Sequence, residues 1–298
     1  MLRHAYLIMI HKDSLVLKRL LQLLDDENNG IFIHVDKNAG QVEPDKIRGL
    51  MQKSPISVYR KYKVYWGTNS ITLAELFLLK KAIKGKYDYY HILSGADLPI
   101  KSKQEIQQFF EKNNGKEFIH FGTRQYQRDI AERYNVWHFF SKQLGRKRDK
   151  KFWVAAETYS LAIQRRLHID RTKKTDYTFY GGANWCSITH ALAEYITTND
   201  RKYRKAFRWT QISDEAIWQT IIMDSPFRKN LYRKGFDNDY RACARYIDWD
   251  RGSPYVFRKE DFDGLMSSEY MFARKFDEDT DSEIIEMIYR AVGEESGK

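Results

Sequence analysis

The chain has 298 residues, 42% of them apolar, with only 16 Gly and 5 Pro, which excludes a disordered, collagen-like or linker-rich chain. No apolar run approaches the ~20 residues that cross a bilayer, and the longest early run, 5–10, is too short for a signal-peptide core and has no cleavage-like site after it. With 51 Lys and Arg against 40 acids the net charge is +11, a balance that favours polyanions: nucleic acid, anionic lipid or phosphate-bearing substrates.

In chain order, residues 4–10 form an apolar run that predicts a strand. Asp13 or Ser14 can cap the next segment, where Leu17, Leu20, Leu21 and Leu24 recur at helical spacing. Asn28-Asn29-Gly30 turns the chain into a second strand, 31–35. Pro44 opens a short helix, 56–59 reads as a third strand, and Asn69 or Ser70 caps a helix carrying Leu73, Leu76, Phe77 and Leu79. A fourth strand spans 88–93, with 94–99 as its exit loop. Strands alternating with helices predict an α/β domain whose largely parallel sheet is covered on both faces. From about 121 to 176 the pattern blurs into a basic, aromatic stretch with a helix near 154–164, read as an insertion over the sheet. The pattern then resumes with strands at 177–182 and 185–188, a helix at 190–196, a helix starting at Asp214, strand-like runs at 243–247 and 255–258, and a last helix at 282–292.

Cys186 and Cys243 make neither a disulfide framework nor a zinc site, and no His-x-x-x-His pair occurs. Packed thiols in a reducing cytoplasm are the expectation. Charge is uneven: residues 142–151 hold six cations and one acid, 201–208 hold five cations, and 277–298 hold eight acids and two cations. Such runs usually form solvated faces. They also suit peripheral contact with an anionic membrane, at its inner face for a cytoplasmic protein.

Ligands of open α/β sheets bind outside the carboxyl ends of the strands. His11, Asp36 and Asp97 follow the first, second and fourth strands and define one rim. No G-x-G-x-x-G follows the first strand and no P-loop occurs, so dinucleotide binding and ATP hydrolysis lose their main support. Several D-x-D patterns, among them 237–239, 248–250, 261–263 and 277–279, could hold Mg²⁺ or Mn²⁺. None lies in the loop after the fourth strand, and in a chain with 40 acids each reads first as ordinary turn chemistry.

Seven segments, in order, resemble a known family: Ile33-His34-Val35-Asp36-Lys37, Trp66-Gly67-Thr68-Asn69-Ser70, Leu93 through Lys101, Gly181-Gly182-Ala183-Asn184-Trp185, Ser213 through Trp218, Tyr246-Ile247-Asp248-Trp249, and Phe272 through Asp277. Together they look like glycosyltransferase family 14, which includes the core-2/I-branching β-1,6-N-acetylglucosaminyltransferases and the peptide O-xylosyltransferases. The resemblance is to its bacterial-type members, which lack the animal anchor. It implies a GT-A-like single domain over 1–298 with a Rossmann-like sheet: a nucleotide-binding half (1–121), a variable insertion (122–176) and an acceptor and catalytic half (177–298).

The resemblance also implies an inverting, metal-independent transfer from a UDP-sugar to a glycan hydroxyl, extending or branching a surface glycan, with no cofactor. UDP-N-acetylglucosamine is the favoured donor and UDP-xylose the alternative; the acceptor is a glycan or a lipid-linked glycan. Such a transfer needs a carboxylate to take the acceptor's proton and positive charge on the departing diphosphate. Carried over by position, Glu215 is the general base, Arg258 and Lys275 hold the diphosphate, and His11 and Asp36 line the uridine pocket. Asp97, Asn184, Trp185, Trp249 and Arg133 contact sugar or acceptor. The rivals are a basic nucleic-acid-binding protein, although no helix-turn-helix, RNP or zinc pattern occurs, and a metal-dependent retaining transferase using one of the D-x-D pairs. No nucleic-acid partner is expected on the favoured reading.

Overall fold

β1 (His4–Ile10) is buried along its whole length in the computed structural model, which describes every residue except Gln41, 146–148 and 296–298. The middle of the 142–151 basic run and the end of the acidic tail therefore lie outside the described residues. Tyr6, Ile8 and Ile10 enter one core, and Ala5, Leu7 and Met9 the other, because successive strand side chains point to opposite faces. Ser14 caps α1 (Leu15–Leu24), its Oγ accepting from Leu17 N at 3.1 Å. The helix buries Leu17, Leu20, Leu21 and Leu24 as their spacing predicts. β2 (Asn29–Val35), α2 (Pro44–Arg48), β3 (Ile56–Tyr59), α3 (Ser70–Ala82) and β4 (Tyr89–Ser94) follow. Neither expected α3 cap acts as one: Asn69 makes no side-chain cap bond, and Ser70 Oγ instead accepts from Tyr65 N at 2.8 Å.

Four of these strands pair in parallel in the order β3-β2-β1-β4, with Ile8 opposite Ile33 and Leu93. The chain winds outward from β1 to β3, then returns to the other side of β1. That reversal opens a crevice at the carboxyl ends of β1 and β4.

The expected exit loop after β4 contains a short strand, β5 (Asp97–Pro99), and Ser102 with Glu105 forms a capping box for α4 (Lys103–Lys112). The blurred stretch is helical: α5 (Arg124–Asp129), α6 (Glu132–Asn135), α7 (Ser141–Leu144) and α8 (Lys151–Arg166). No strand forms at 177–182, where Gly181 and Gly182 instead run close beneath other backbone. β6 (Ser187–Thr189) is shorter than expected and joins β4 antiparallel. α9 (His190–Thr198), α10 (Asp200–Ala206) and α11 (Ile217–Met223) come next. β7 (Arg245–Ile247), α12 (Phe262–Ser267), β8 (Phe272–Arg274) and α13 (Glu283–Glu295) complete the chain. The run at 255–258 is extended but forms no sheet strand. β5, β8 and β7 make a second, three-stranded sheet. One core holds α1, α4, α13 and this small sheet; the other holds α3, α9 and α11.

Where β4 meets β6, the buried Glu117 carboxylate accepts from Thr189 N at 2.9 Å and Thr189 Oγ1 at 2.5 Å. Burial pushes its pKa up to about 7, against the lowering effect of those two bonds. The folded state thus holds a proton that the unfolded chain releases near the ordinary glutamate value. This group's contribution to stability falls as pH rises from about 4.5 to about 7 and is level above that. Glu117→Gln should remove the slope. Urea denaturation at pH 5 and pH 7.5 should show the variant gaining on the wild type by about 2–4 kcal/mol between the two; an equal difference at both pH values would contradict the assignment.

Candidate active site

Glu215 does not sit on a helix as expected. It ends a 3₁₀ turn, Ser213–Glu215, entered through Ile212 in the left-handed region (φ 48°), and α11 starts only at Ile217. The turn is held from outside. Thr72 on α3 bonds Ser213 side chain to side chain at 2.7 Å, and Ile212 N donates to Gly67 O at 3.2 Å. Tyr126 Oη and Arg133 Nη1 each donate to Glu215 Oε2 at 3.0 Å. Oε1 is left without a hydrogen bond among the described residues, on a side chain that is 33% exposed. A carboxylate with one oxygen anchored by a cation and a phenol, and the other open, is suited to accept a proton from a hydroxyl. The adjacent Asp214 differs: burial first, and repulsion from Glu215 second, hold it above the ordinary carboxylate range.

Tyr126 reaches Glu215 because two glycines make room. A Cβ on Gly122 would lie 2.3 Å from the Tyr126 ring, and one on Gly181 3.2 Å from it. Thr123 caps α5, and Gln127 on the same helix clamps Gly181, accepting from its N at 2.7 Å and donating to its O at 2.8 Å. Gly182 N donates to Glu215 O at 2.8 Å. Asn184, expected to touch sugar, is buried and fully engaged: it donates to Glu75 at 2.6 Å and accepts from Trp218 Nε1 at 3.0 Å. Burial holds the Glu75 carboxyl well above its ordinary range.

The other half of the rim is built by the C-terminal segment. Phe276 N donates to Ala96 O at 2.9 Å, and Lys12 pairs with Asp277 at 2.9 Å and Glu278 at 3.3 Å. These bonds lay residues 272–279 across the ends of β1 and β4, beside the exposed His11. Asp97 is buried there: its carboxylate accepts from Ser94 N at 2.7 Å and Ser94 Oγ at 3.0 Å, with Arg274 Nη1 at 3.5 Å. Arg274 also stacks over Trp185, 3.9 Å from its centroid. Lys275 follows, its carbonyl accepting from Phe257 N at 2.9 Å, which brings it alongside Arg258. Neither Lys275 nor the exposed Arg258 makes an ion pair among the described residues. The neighbouring Lys259 is committed to Glu283 at 2.9 Å. Asp36 turns one oxygen into the fold, Oδ1 accepting from Asn38 N at 2.8 Å and Val64 N at 2.9 Å.

Trp249 is 45% exposed. It bonds Tyr240, whose hydroxyl feels the charge of Glu215 and whose ring stacks on His120 at 4.1 Å. The expected residues fall into two groups: Glu215 and Arg133 pair directly and Trp249 adjoins them through Tyr240, while His11 and Asp36 follow β1 and β2, and Arg258 and Lys275 lie on adjoining C-terminal segments. Asp97, Asn184 and Trp185 tie the two together. The D-x-D pairs are engaged by cations: Asp239 by Arg233 and Arg241, Asp248 and Asp261 by Arg251, Asp277 and Asp279 by Lys12. Among the described residues no group of three or more His, Cys, Asp or Glu is placed to hold a metal ion. Sequence reasoning missed Tyr126, Gln127 and the bridging role of Arg274. Only the glycines at 122 and 181 signal a close approach there.

The family model for the Core-2/I-Branching enzyme matches residues 4–264. The chain belongs to the Core-2/I-Branching enzyme family. It is 24% identical to "Xylosyltransferase 2" of Canis lupus familiaris over 96% of the chain and 33% of that protein. It is 27% identical to "Xylosyltransferase sqv-6" of Caenorhabditis briggsae over 90% of the chain and 34% of that protein. The chain thus spans about a third of the length of these curated relatives. A solved structure, "mouse Xyloside xylosyltransferase 1, apo form", aligns over 91% of this chain and 96% of that one, with 10% identity and a TM-score of 0.36.

Within this family member, a Cβ at Gly182 would lie 2.0 Å from the His120 carbonyl oxygen, a backbone atom that cannot swing away. Gly182→Ala should push residues 181–184 off their bonds with Glu215 O and Gln219 and lower stability by about 1–3 kcal/mol. Thermal denaturation checks this; an unchanged midpoint would show that the approach is looser than the geometry implies.

Proposed function

We propose that this chain is an inverting glycosyltransferase that moves a sugar from a UDP-sugar to a glycan hydroxyl, with Glu215 as general base and without a metal ion. The observation that carries the reading is the half-exposed Glu215 carboxylate, anchored through Oε2 by Tyr126 and Arg133 with Oε1 open. Family membership supports the reaction class, and the relatives' names, all xylosyltransferases in the matches above, support a UDP-sugar donor.

In the proposed step Glu215 Oε1 takes the acceptor hydroxyl's proton as that oxygen bonds the anomeric carbon. The bond from that carbon to the diphosphate breaks on the opposite face, inverting the configuration, and its electron pair leaves on UDP. Lys275 and Arg258 meet the developing negative charge; neither makes an ion pair among the described residues. A guanidinium presents a planar pair of donors to phosphate, and an ammonium a compact charge. His11 and Asp36 border the uridine end, and Trp249 offers an exposed ring to the sugar or acceptor. The cytoplasmic side of an anionic membrane, with a lipid-linked glycan as acceptor, suits the basic surface; no nucleic acid is required. UDP-xylose follows from the relatives' names and UDP-N-acetylglucosamine from the core-2 resemblance.

Turnover of both UDP-sugars, with a panel of glycan acceptors, tests the reading. Glu215→Gln keeps size and hydrogen bonding but removes the base, so transfer should fall ~10²–10⁴-fold with UDP affinity little changed; near-normal turnover would sink the assignment. Activity should survive excess EDTA, and Lys275→Ala should weaken UDP binding and slow transfer together, by about 10²–10³-fold in kcat. Loss in EDTA with recovery on Mn²⁺ would instead support a metal-dependent transferase.

A further inference from the structure

α8 is inside out. A 16-residue helix, about 24 Å long, it buries two polar side chains against the protein and leaves a row of large apolar ones in water. Glu157 and Gln164 are buried: Glu157 pairs with His138 Nδ1 at 2.7 Å, and Gln164 accepts from Trp137 N and donates to Trp137 O, both at 2.8 Å. On the opposite side Phe152 is 73% exposed, Tyr159 70%, Ile163 41%, and Leu167, just past the last turn, 65%. Positions 152, 159 and 163 fall on one stripe at 3.6 residues per turn, so these are one continuous face rather than scattered exposures. A face of this size left in water is a binding surface in soluble proteins.

Charge decides the occupant. The helix contains a single acid among its first fifteen residues, Glu157, and that one points inward. Lys150, Lys151 and Arg166 flank the stripe, are exposed, and make no ion pair among the described residues; Arg165 is taken by Glu132 at 2.6 Å, and Asp149 is the nearby exposed acid. A second copy of the same face would bring like charges together. An apolar stripe of Phe, Tyr, Ile and Leu bordered by unpaired cations is the composition that lies in the headgroup region of an anionic bilayer, rings in the acyl boundary and cations on phosphate.

We propose that the outward face of α8 docks this protein on an anionic lipid surface. The proposal deepens the membrane contact suggested above by naming the surface that makes it, and its test reads binding to vesicles rather than sugar transfer, so the two readings fail separately. The probe is co-sedimentation of the full chain with phosphatidylcholine vesicles, with and without about one-third phosphatidylglycerol, at ~0.1 M salt. The wild type should partition at least about tenfold better onto the anionic vesicles. Phe152→Glu with Ile163→Glu should reduce that partition by about tenfold or more while circular dichroism and the thermal midpoint stay unchanged, since both positions face water. Arg166→Glu, a separate variant, should lose part of the binding and part of its salt sensitivity. Failure of the wild type to bind either vesicle, or wild-type binding by the double glutamate variant, would overturn the proposal, the second by assigning the attraction to another basic surface. A dimer in light scattering that Phe152→Glu dissolves would also overturn it, by showing that a second copy covers the face.

Discussion

The crevice is held together by one guanidinium. Arg274, the last residue of β8, reaches from the strand that precedes Lys275 to the buried Asp97 carboxylate and the Trp185 ring. A buried cation is tolerable only with its partners in place. Asp97 in turn is fixed by the Ser94 backbone at the end of β4. Together with the β5–β8 pairing and the Phe276 N–Ala96 O bond, the Arg274 side chain ties the central sheet, the C-terminal segment and the 183–186 segment to one another. Arg274 lies one residue from a proposed diphosphate ligand but is spent on architecture, which frees Lys275 to point its charge elsewhere.

Much of the first third was legible because its signals are local. β1, α1 and β2 have apolar periods, and Ser14 caps where the pattern begins. The fourth strand and the rim residues His11 and Asp36 followed from the same alternation. What was not legible depends on residues far apart in sequence. Residues 177–182 have the aromatic, β-branched look of a strand, but Gly181 and Gly182 are there to pass close to His120 and Tyr126, and the segment bonds Gln127 and Glu215 instead of a neighbouring strand. Glu215 looked like a helix N-terminal acid; Thr72 and Gly67, more than 140 residues away, tie its turn down before the helix begins. The acid and Arg133 follow from the motifs, Arg133 as a sugar or acceptor contact rather than as the anchor of Glu215, and nothing in the spacing of Tyr126 points to that acid.

Beneath the sheet runs a polar chain. Gln107, His4, His91, Ser187 and Arg245 are linked by bonds of 2.7–3.0 Å. Burial holds His4 down at about 4 and His91 well below its ordinary value, so both imidazoles are neutral and each can accept on one nitrogen while donating on the other. Arg245, the one charge in this chain of contacts, donates further to the Cys186 and Cys243 carbonyls. It closes the seam between β6 and β7, two strands in different sheets, with directional bonds where apolar contact alone would leave the offset undetermined.

The short turn at 213–215 has a consequence of its own. An acid on a long helix would owe its position to that helix. Glu215 owes its orientation to Tyr126 and Arg133, which belong to the helical stretch between the two halves of the chain. The short helices laid over the sheet are thus the part that aims the carboxylate, and reshaping them would move it in the same stroke.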